Sequence, residues 1–176
     1  MAGTDREARM RGIAHAVGEP VRRYVCRRAP ADLVDDVVAE VFLVLWRRLD
    51  DVPVDDPLPW TYAVARGCLA NARRSARRQL SLVERISRMD PPVPLPAEDP
   101  EHADLHAALA RLAALDREVV TLWAWEGLAP REIATVTGLS ANAVSIRLHR
   151  AKSRLALDLG RKTSGTAGQE PGEGRR

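Results

Sequence analysis

The stretch Glu126–Leu155, EGLAPREIATVTGLSANAVSIRLHRAKSRL, constrains the fold more than any other part of the chain. It spells two short helices separated by a tight turn. Pro130 suits the first position of a helix, because the N–H it lacks would be unpaired there anyway. Ile133, Ala134 and Val136 supply an apolar face. Gly138 predicts the stop, since glycine readily takes the left-handed backbone that ends a helix. Ser140 is placed to cap the second helix. On a wheel of that helix, Val144, Leu148, Ala151 and Leu155 share a narrow arc and are expected to be buried. Asn142, Ser145, His149, Arg150, Lys152 and Ser153 lie on its other sides.

A short helix, a glycine turn and a second helix with a polar, basic outer face form the helix-turn-helix pattern of DNA-binding proteins. Taken alone, the stretch fits an ordinary helical hairpin with a solvated face equally well, so the rest of the chain has to decide. Its 176 residues leave room for one or two small domains. Aromatic residues make up only 4% against 45% hydrophobic overall, so the core must be built mainly from Leu, Val and Ala, which favours helices. Net charge is +3, from 27 basic and 24 acidic residues, too small an excess to argue for nucleic acid by itself. The distribution of charge matters more. Lys152 and Lys162 are the only lysines. Arginine favours bidentate phosphate or guanine contacts, although a GC-rich genome produces the same bias.

From about Arg6 to Arg28, Ile13, Val17, Val21 and Val25 recur at helical spacing, with Gly18 and Pro20 expected to interrupt or kink the run. The next segment, ADLVDDVVAEVFLVLWRRLDD, has Asp32 as a fair N-cap. Asp35, Asp36 and Glu40 lie early and Arg47 and Arg48 late, complementing the helix dipole. Its apolar face is wider than one neighbour would cover, which fits a central core helix, a partner-binding helix, or both. Residues 50–58 read as a loop, solvated by four aspartates and broken by Pro53 and Pro57. Pro59 then opens PWTYAVARGCLANARRSARR, a helix without an acid. Arg66, Arg73 and Arg77 superpose on one line of it, Arg74 and Arg78 flank that line, and Val64, Ala65, Cys68, Leu69 and Ala72 occupy the opposite arc. One side packs; the other is a basic stripe that a phosphate backbone would relieve. The sequence PPVPLPAEDPE cannot form a regular element and marks a stiff linker. A second helical unit follows from about Ala103, with Asp116 as an expected N-cap and Gly127 as a stop.

The resulting expectation is an all-α chain: a helical domain over 6–78, a Pro-rich linker over 79–102, a helix-turn-helix domain over 103–160 and a disordered tail over 161–176. Cys26 and Cys68 form no metal-binding spacing and read as reduced core thiols. His102 and His106 stand four apart beside Glu101 and Asp104, a spacing that could hold a metal, but polar residues are ordinary at a linker edge. No metal and no cofactor is expected. No phosphate loop or nucleophile elbow is present, so the chain is not read as an enzyme. No apolar run is long enough to cross a bilayer and no signal-peptide core is present, which points to the cytoplasm.

Two helical modules in this order, each with a basic helix, resemble the sigma-70 family, and within it the small extracytoplasmic-function (ECF) sigma factors. DLVDDVVAEVFLVLWRR resembles the family's region 2.2. PWTYAVARGCLANARRSARR resembles regions 2.3 and 2.4. LARLAALDREVVTLWAWEGLAPREIATVTGLSANAVSIRLHRAKSRL resembles region 4. The resemblance implies a bacterial initiation subunit that directs core RNA polymerase to promoters and assists strand opening. It implies docking on a coiled coil of the largest polymerase subunit through Asp35, Asp36, Glu40, Phe42 and Trp46. For minus-ten recognition and melting it implies the loop over 50–58 with Trp60, Arg66, Asn71, Arg73, Arg74 and Arg77. Minus-thirty-five recognition would fall to Ser140, Asn142, Ser145, Arg147, His149, Arg150 and Lys152. The family often has an anti-sigma factor wedged between the two domains. Such a protein would associate with the nucleoid through polymerase.

The sequence departs from the family pattern at Trp60–Thr61, at Ala65–Arg66–Gly67 and at Ala143–Val144–Ser145–Ile146–Arg147, which bears on the promoter sequence read. A protein without ATP can open DNA only by holding the separated strand more tightly than the duplex. Trp60 is either a stacking wedge or a core residue at a helix start. A linker of about 24 residues reaches at most about 80 Å, farther than the roughly 60 Å between elements about 17 base pairs apart at about 3.4 Å each. A stand-alone helix-turn-helix regulator and a helical adaptor that binds only protein are the competing readings.

Overall fold

The computed structural model describes residues 2–86 and 103–166. Among them are seven α-helices, two short 3-10 turns and no strand. α1 (Ala2–Cys26) buries Ile13, Val17, Val21, Tyr24 and Val25 along one stripe. It begins earlier than the apolar spacing indicated and continues unbroken past Pro20. A single missing N–H does not end a helix whose buried stripe continues on both sides of it.

A 3-10 turn (Ala31–Leu33) leads into α2 (Val34–Arg47). Asp32 lies inside that turn, so it does not cap α2; Leu33 takes the cap position, without a side-chain bond. Val34, Val37, Val41 and Leu45 face inward at helical spacing. Gly18 of α1 faces the Phe42 ring, whose tip would make ordinary van der Waals contact, at 3.8 Å, with a β-carbon there. A second 3-10 turn (Leu49–Asp51) and five further residues reach α3 (Pro57–Ile86). This helix starts two residues before the expected Pro59. Pro57 opens it at no cost in hydrogen bonds, and its carbonyl accepts the Thr61 hydroxyl at 2.7 Å. α3 continues past 78, into the stretch expected to be linker.

α3 packs against both α1 and α2. Ala65, Cys68 and Leu69 are buried there, with Val64 and Ala72 partly so, which is the arc the sequence assigned to packing. Tyr24 and Tyr62 stack at 4.9 Å between ring centroids. Burial pushes both phenols up to about 12 and the Cys68 thiol up to about 11, so all three stay protonated at neutral pH.

The second lobe comprises α4 (Ala103–Ala110), α5 (Ala114–Glu126), α6 (Pro130–Thr137) and α7 (Ala141–Thr166). Gly127 (φ 69°) and Gly138 (φ 75°) both adopt the left-handed backbone and close α5 and α6. Pro130 sits in the first turn of α6, and Glu132 accepts a hydrogen bond from the Ala129 N–H. Ser140 Oγ accepts the Ala143 N–H at 3.2 Å and caps α7. Val144, Leu148 and Ala151 are buried and Leu155 partly so, as the wheel requires. α7 enters the stretch expected to be disordered, because adding one more bonded residue to an existing helix is far easier than starting one. The proline-rich stretch from 87 to 102, with His102 of the considered metal pair and its neighbour Glu101, and the tail beyond 166 lie outside the described residues.

The two lobes touch. α3 packs along α6 as well as along its own neighbours, and the buried apolar residues of both lobes form one continuous cluster.

Replacing Gly138 with alanine places a β-carbon on a left-handed residue, with no neighbour within 4 Å to add a clash. The cost is therefore backbone strain alone, about 1–2 kcal/mol. A urea titration is expected to show an unfolding free energy lowered by that amount, through a lower midpoint at unchanged slope.

Candidate nucleic-acid interface

α3 carries the basic stripe because one helix must satisfy two environments at once. Its apolar arc is held by α1 and α2, so Asn71, Arg73, Arg74 and Arg77 project outward and are exposed. Arg74 donates to the Asn71 side chain one turn back. Arg73 donates to the Arg28 carbonyl at 2.8 Å. Arg66 is only part-exposed, because it grips both carboxylate oxygens of Glu118 on α5, at 2.7 and 3.1 Å. The hydrogen bond to Glu118, ahead of the opposing effect of burial, raises the Arg66 pKa further above its ordinary value. Trp60 is half-buried against the core, with the Arg48 guanidinium 5.3 Å from its ring centroid. It also lines a crevice of about 240 Å³ with Pro53, Asp56 and Pro59 on one side and Arg131, Glu132 and Thr135 of α6 on the other.

On α7, Asn142, Ser145, His149, Arg150 and Lys152 are all exposed and lie away from the buried arc. Ser145 Oγ donates to the Ala141 carbonyl at 3.0 Å. The Lys152 ammonium sits 4.3 Å from the Trp123 ring centroid. Arg147 differs from the rest of the set. It donates to Asp116 at 2.6 Å, tying α7 to the first turn of α5. Asp116 is thus an ion-pair partner rather than the expected N-cap; Ala113 holds that position without a side-chain bond. Ser140 spends its hydroxyl on the cap.

The outer face of α2 carries Asp35, Asp36, Leu43 and Trp46 in the open. Asp35 pairs with the exposed Arg22 at 2.7 Å. Glu40 is intermediate, and Phe42 turns inward against α1. Trp46 carries the Arg6 guanidinium 5.2 Å from its ring centroid. Sequence reasoning passed over Leu43, which is 54% exposed. The signal was available: at about 100° per residue, Leu43 points directly opposite the buried Val34.

Among the described residues, no helix is long and apolar enough to cross a membrane and no three metal-ligating side chains converge.

Two family models match this chain: Sigma-70 region 2 over residues 13–79 and Sigma-70, region 4 over residues 102–155. The RNA polymerase sigma factor CnrH of Cupriavidus metallidurans is 32% identical over 140 residues, covering 72% of this chain and 73% of its own. The ECF RNA polymerase sigma factor SigL of Mycobacterium tuberculosis is 31% identical over 159 residues, covering 86% and 89%. Among solved structures, the sigma factor RpoE in complex with the anti-sigma factor NepR from Bartonella quintana superposes with a TM-score of 0.62 at 20% identity, over 84% of this chain and 94% of that one. The chain belongs to the sigma-70 family of RNA polymerase sigma factors. Within that family it is an ECF sigma factor, a subunit that binds core polymerase and promoter DNA and confers promoter-specific initiation.

Proposed function

We propose that the first lobe, over 6–78, docks on the coiled coil of the largest polymerase subunit through the open face of α2 and holds the separated minus-ten strand on α3. The second lobe, over 103–160, reads the minus-thirty-five element with α7. The observation that carries this reading is the division of α3 into a packed apolar arc and an opposite face holding Arg73, Arg74 and Arg77. Docking uses Asp35, Asp36, Glu40 and Trp46, with Leu43 added as an apolar anchor. Phe42 positions α2 from behind. Arginines spaced along one side of α3 bind successive phosphates. The residues between Asp51 and Pro57, beside Trp60, receive a base turned out of the stack. Strand opening then needs no nucleotide hydrolysis and no catalytic residue, because the unstacked strand is the better ligand.

On α7, exposure favours Asn142, Ser145, His149 and Arg150 as the groove-facing set, with Lys152 toward the phosphates. Arg147 serves the second lobe's packing through Asp116 instead. The factor works in the cytoplasm, nucleoid-associated through polymerase. An anti-sigma factor, such as the one in complex with the solved RpoE, is a fitting further partner.

Arg73→Ala with Arg77→Ala is expected to leave core binding intact while reducing permanganate reactivity of melted thymines in the open complex. The salt dependence of promoter binding should also fall by about one unit of slope per lost phosphate contact. Asp36→Arg or Leu43→Glu is expected to weaken co-purification with core enzyme at least several-fold, without changing the thermal midpoint. Arg150→Ala should cost about 1–3 kcal/mol of discrimination between native and scrambled minus-thirty-five elements, measured by competition binding of the holoenzyme. Arg147→Ala should lower fold stability and leave that discrimination alone.

A further inference from the structure

The loop between α2 and α3 is held at its base by two arginines from the far end of the sequence. Arg6 and Arg9 stand three residues apart near the start of α1, so they share one side of that helix. Arg6 donates to the Trp46 carbonyl at 2.6 Å and to the Asp50 carboxylate at 3.1 Å. Arg9 donates to the Val52 carbonyl at 2.9 Å, and another of its nitrogens stands 4.0 Å from Asp50. Trp46 belongs to the last turn of α2, whose carbonyls have no partner further along the helix. Val52 is the extended residue that follows the second 3-10 turn. Asp50 is largely open to water, so its ion pairs hold little by themselves. The two carbonyl bonds weigh more, because a charged donor makes the stronger bond. Leu49 and Val52 bury their side chains in the same stem. Arg48 adds a local tie, donating to Asp51 at 2.9 Å. The residues that follow, Pro53 to Asp56, are exposed, Val54 to 81%. The chain is fixed again at Pro57, whose carbonyl accepts the Thr61 hydroxyl.

We propose that Arg6 and Arg9 are positioning residues for base capture: they pin the stem of this loop so that its tip, Pro53 to Asp56 beside Trp60, is preformed to receive the base turned out of the minus-ten strand. The proposal rests on the assignment of that loop to the flipped base. Neither arginine touches the strand; each acts through the backbone it holds. A base leaving the stack gives up its stacking, and the protein recovers that loss only where the receiving surface need not be ordered on arrival. Nine residues join α2 to α3. With Trp46 and Val52 pinned, only the short tip is left to be ordered, and a shorter free span loses less freedom on binding. The start of α1 thus contributes to strand opening as well as to packing. Arg9 does so through the loop alone, whereas the Arg6 guanidinium also lies 5.2 Å from the Trp46 ring centroid, on the face assigned to polymerase.

The test uses holoenzyme made from core polymerase and the full chain, on a promoter mapped by run-off transcription from a genomic fragment library. Core is kept in excess, so that any effect of Arg6 on docking does not enter. The probes are fork-junction duplexes of that promoter with the minus-ten non-template strand single, each carrying one abasic minus-ten nucleotide. With the wild-type chain one position is expected to stand out, its abasic probe binding at least about ten-fold more weakly than the intact one. In Arg9→Ala, and further in Arg6→Ala/Arg9→Ala, that ratio is expected to shrink about five-fold, while the salt slope set by the phosphate contacts of α3 stays the same. Arg9→Lys keeps a charged donor and is expected to recover part of the ratio. A purely structural role weakens intact and abasic probes alike; a ratio that survives in the alanine variants, at full or reduced affinity, overturns the proposal. Should Arg9→Ala lose its circular-dichroism signal, Arg9→Gln, which fills the same space without the charge, is judged by the same ratio. A wild-type chain with no abasic-sensitive position sinks the assignment of the loop to a flipped base, and the proposal with it.

Discussion

α3 is held by α1 and α2 along one arc and left with arginines on the other, and most of the molecule follows from that division. Small and medium side chains (Ala65, Cys68, Leu69) let three helices approach closely, and the Tyr24–Tyr62 stack fills the space that remains. Packing on one side is what fixes the stripe on the other, because a helix cannot rotate without exposing its apolar arc to water. The cationic surface is therefore preorganised. Its like charges are carried by a frame that hydrophobic burial stabilises, rather than spread along a flexible arm.

The second lobe solves a different problem, holding a reading helix at a defined angle. It does so almost wholly with local devices: two left-handed glycines, a proline in the first turn of α6, a serine cap and the Arg147–Asp116 tie. Each device satisfies backbone groups or charge within a short stretch of chain, except the last, which links α7 back to α5. The result leaves Asn142, Ser145, His149 and Arg150 unobstructed.

Local devices are also why so much was legible beforehand. The stops at Gly127 and Gly138, the cap at Ser140 and the buried arc of α7 need only neighbouring residues, and all four stand as read. Matters settled by distant residues were not legible. Asp116 has the right chemistry for an N-cap, yet a guanidinium more than 30 positions away claims it. Asp32 has the same chemistry, but a 3-10 turn places the start of α2 beyond its reach. Pro20 looked like an interruption because a periodicity argument cannot weigh the burial that continues on either side. Arg66 read as a free member of the stripe, and nothing in its own helix announces Glu118. The contact between lobes was invisible for that reason: its partners lie 52, 98 and 99 positions apart.

The positive members of the contact between lobes are Arg27 and Arg28, which share Glu126, and Arg66, which holds both oxygens of Glu118. Dissolved ions screen exposed charge far more than enclosed charge. The more open Arg66–Glu118 pair would therefore weaken with rising ionic strength before the enclosed Glu126 cluster does, so the two ends of one join answer differently to the same surroundings.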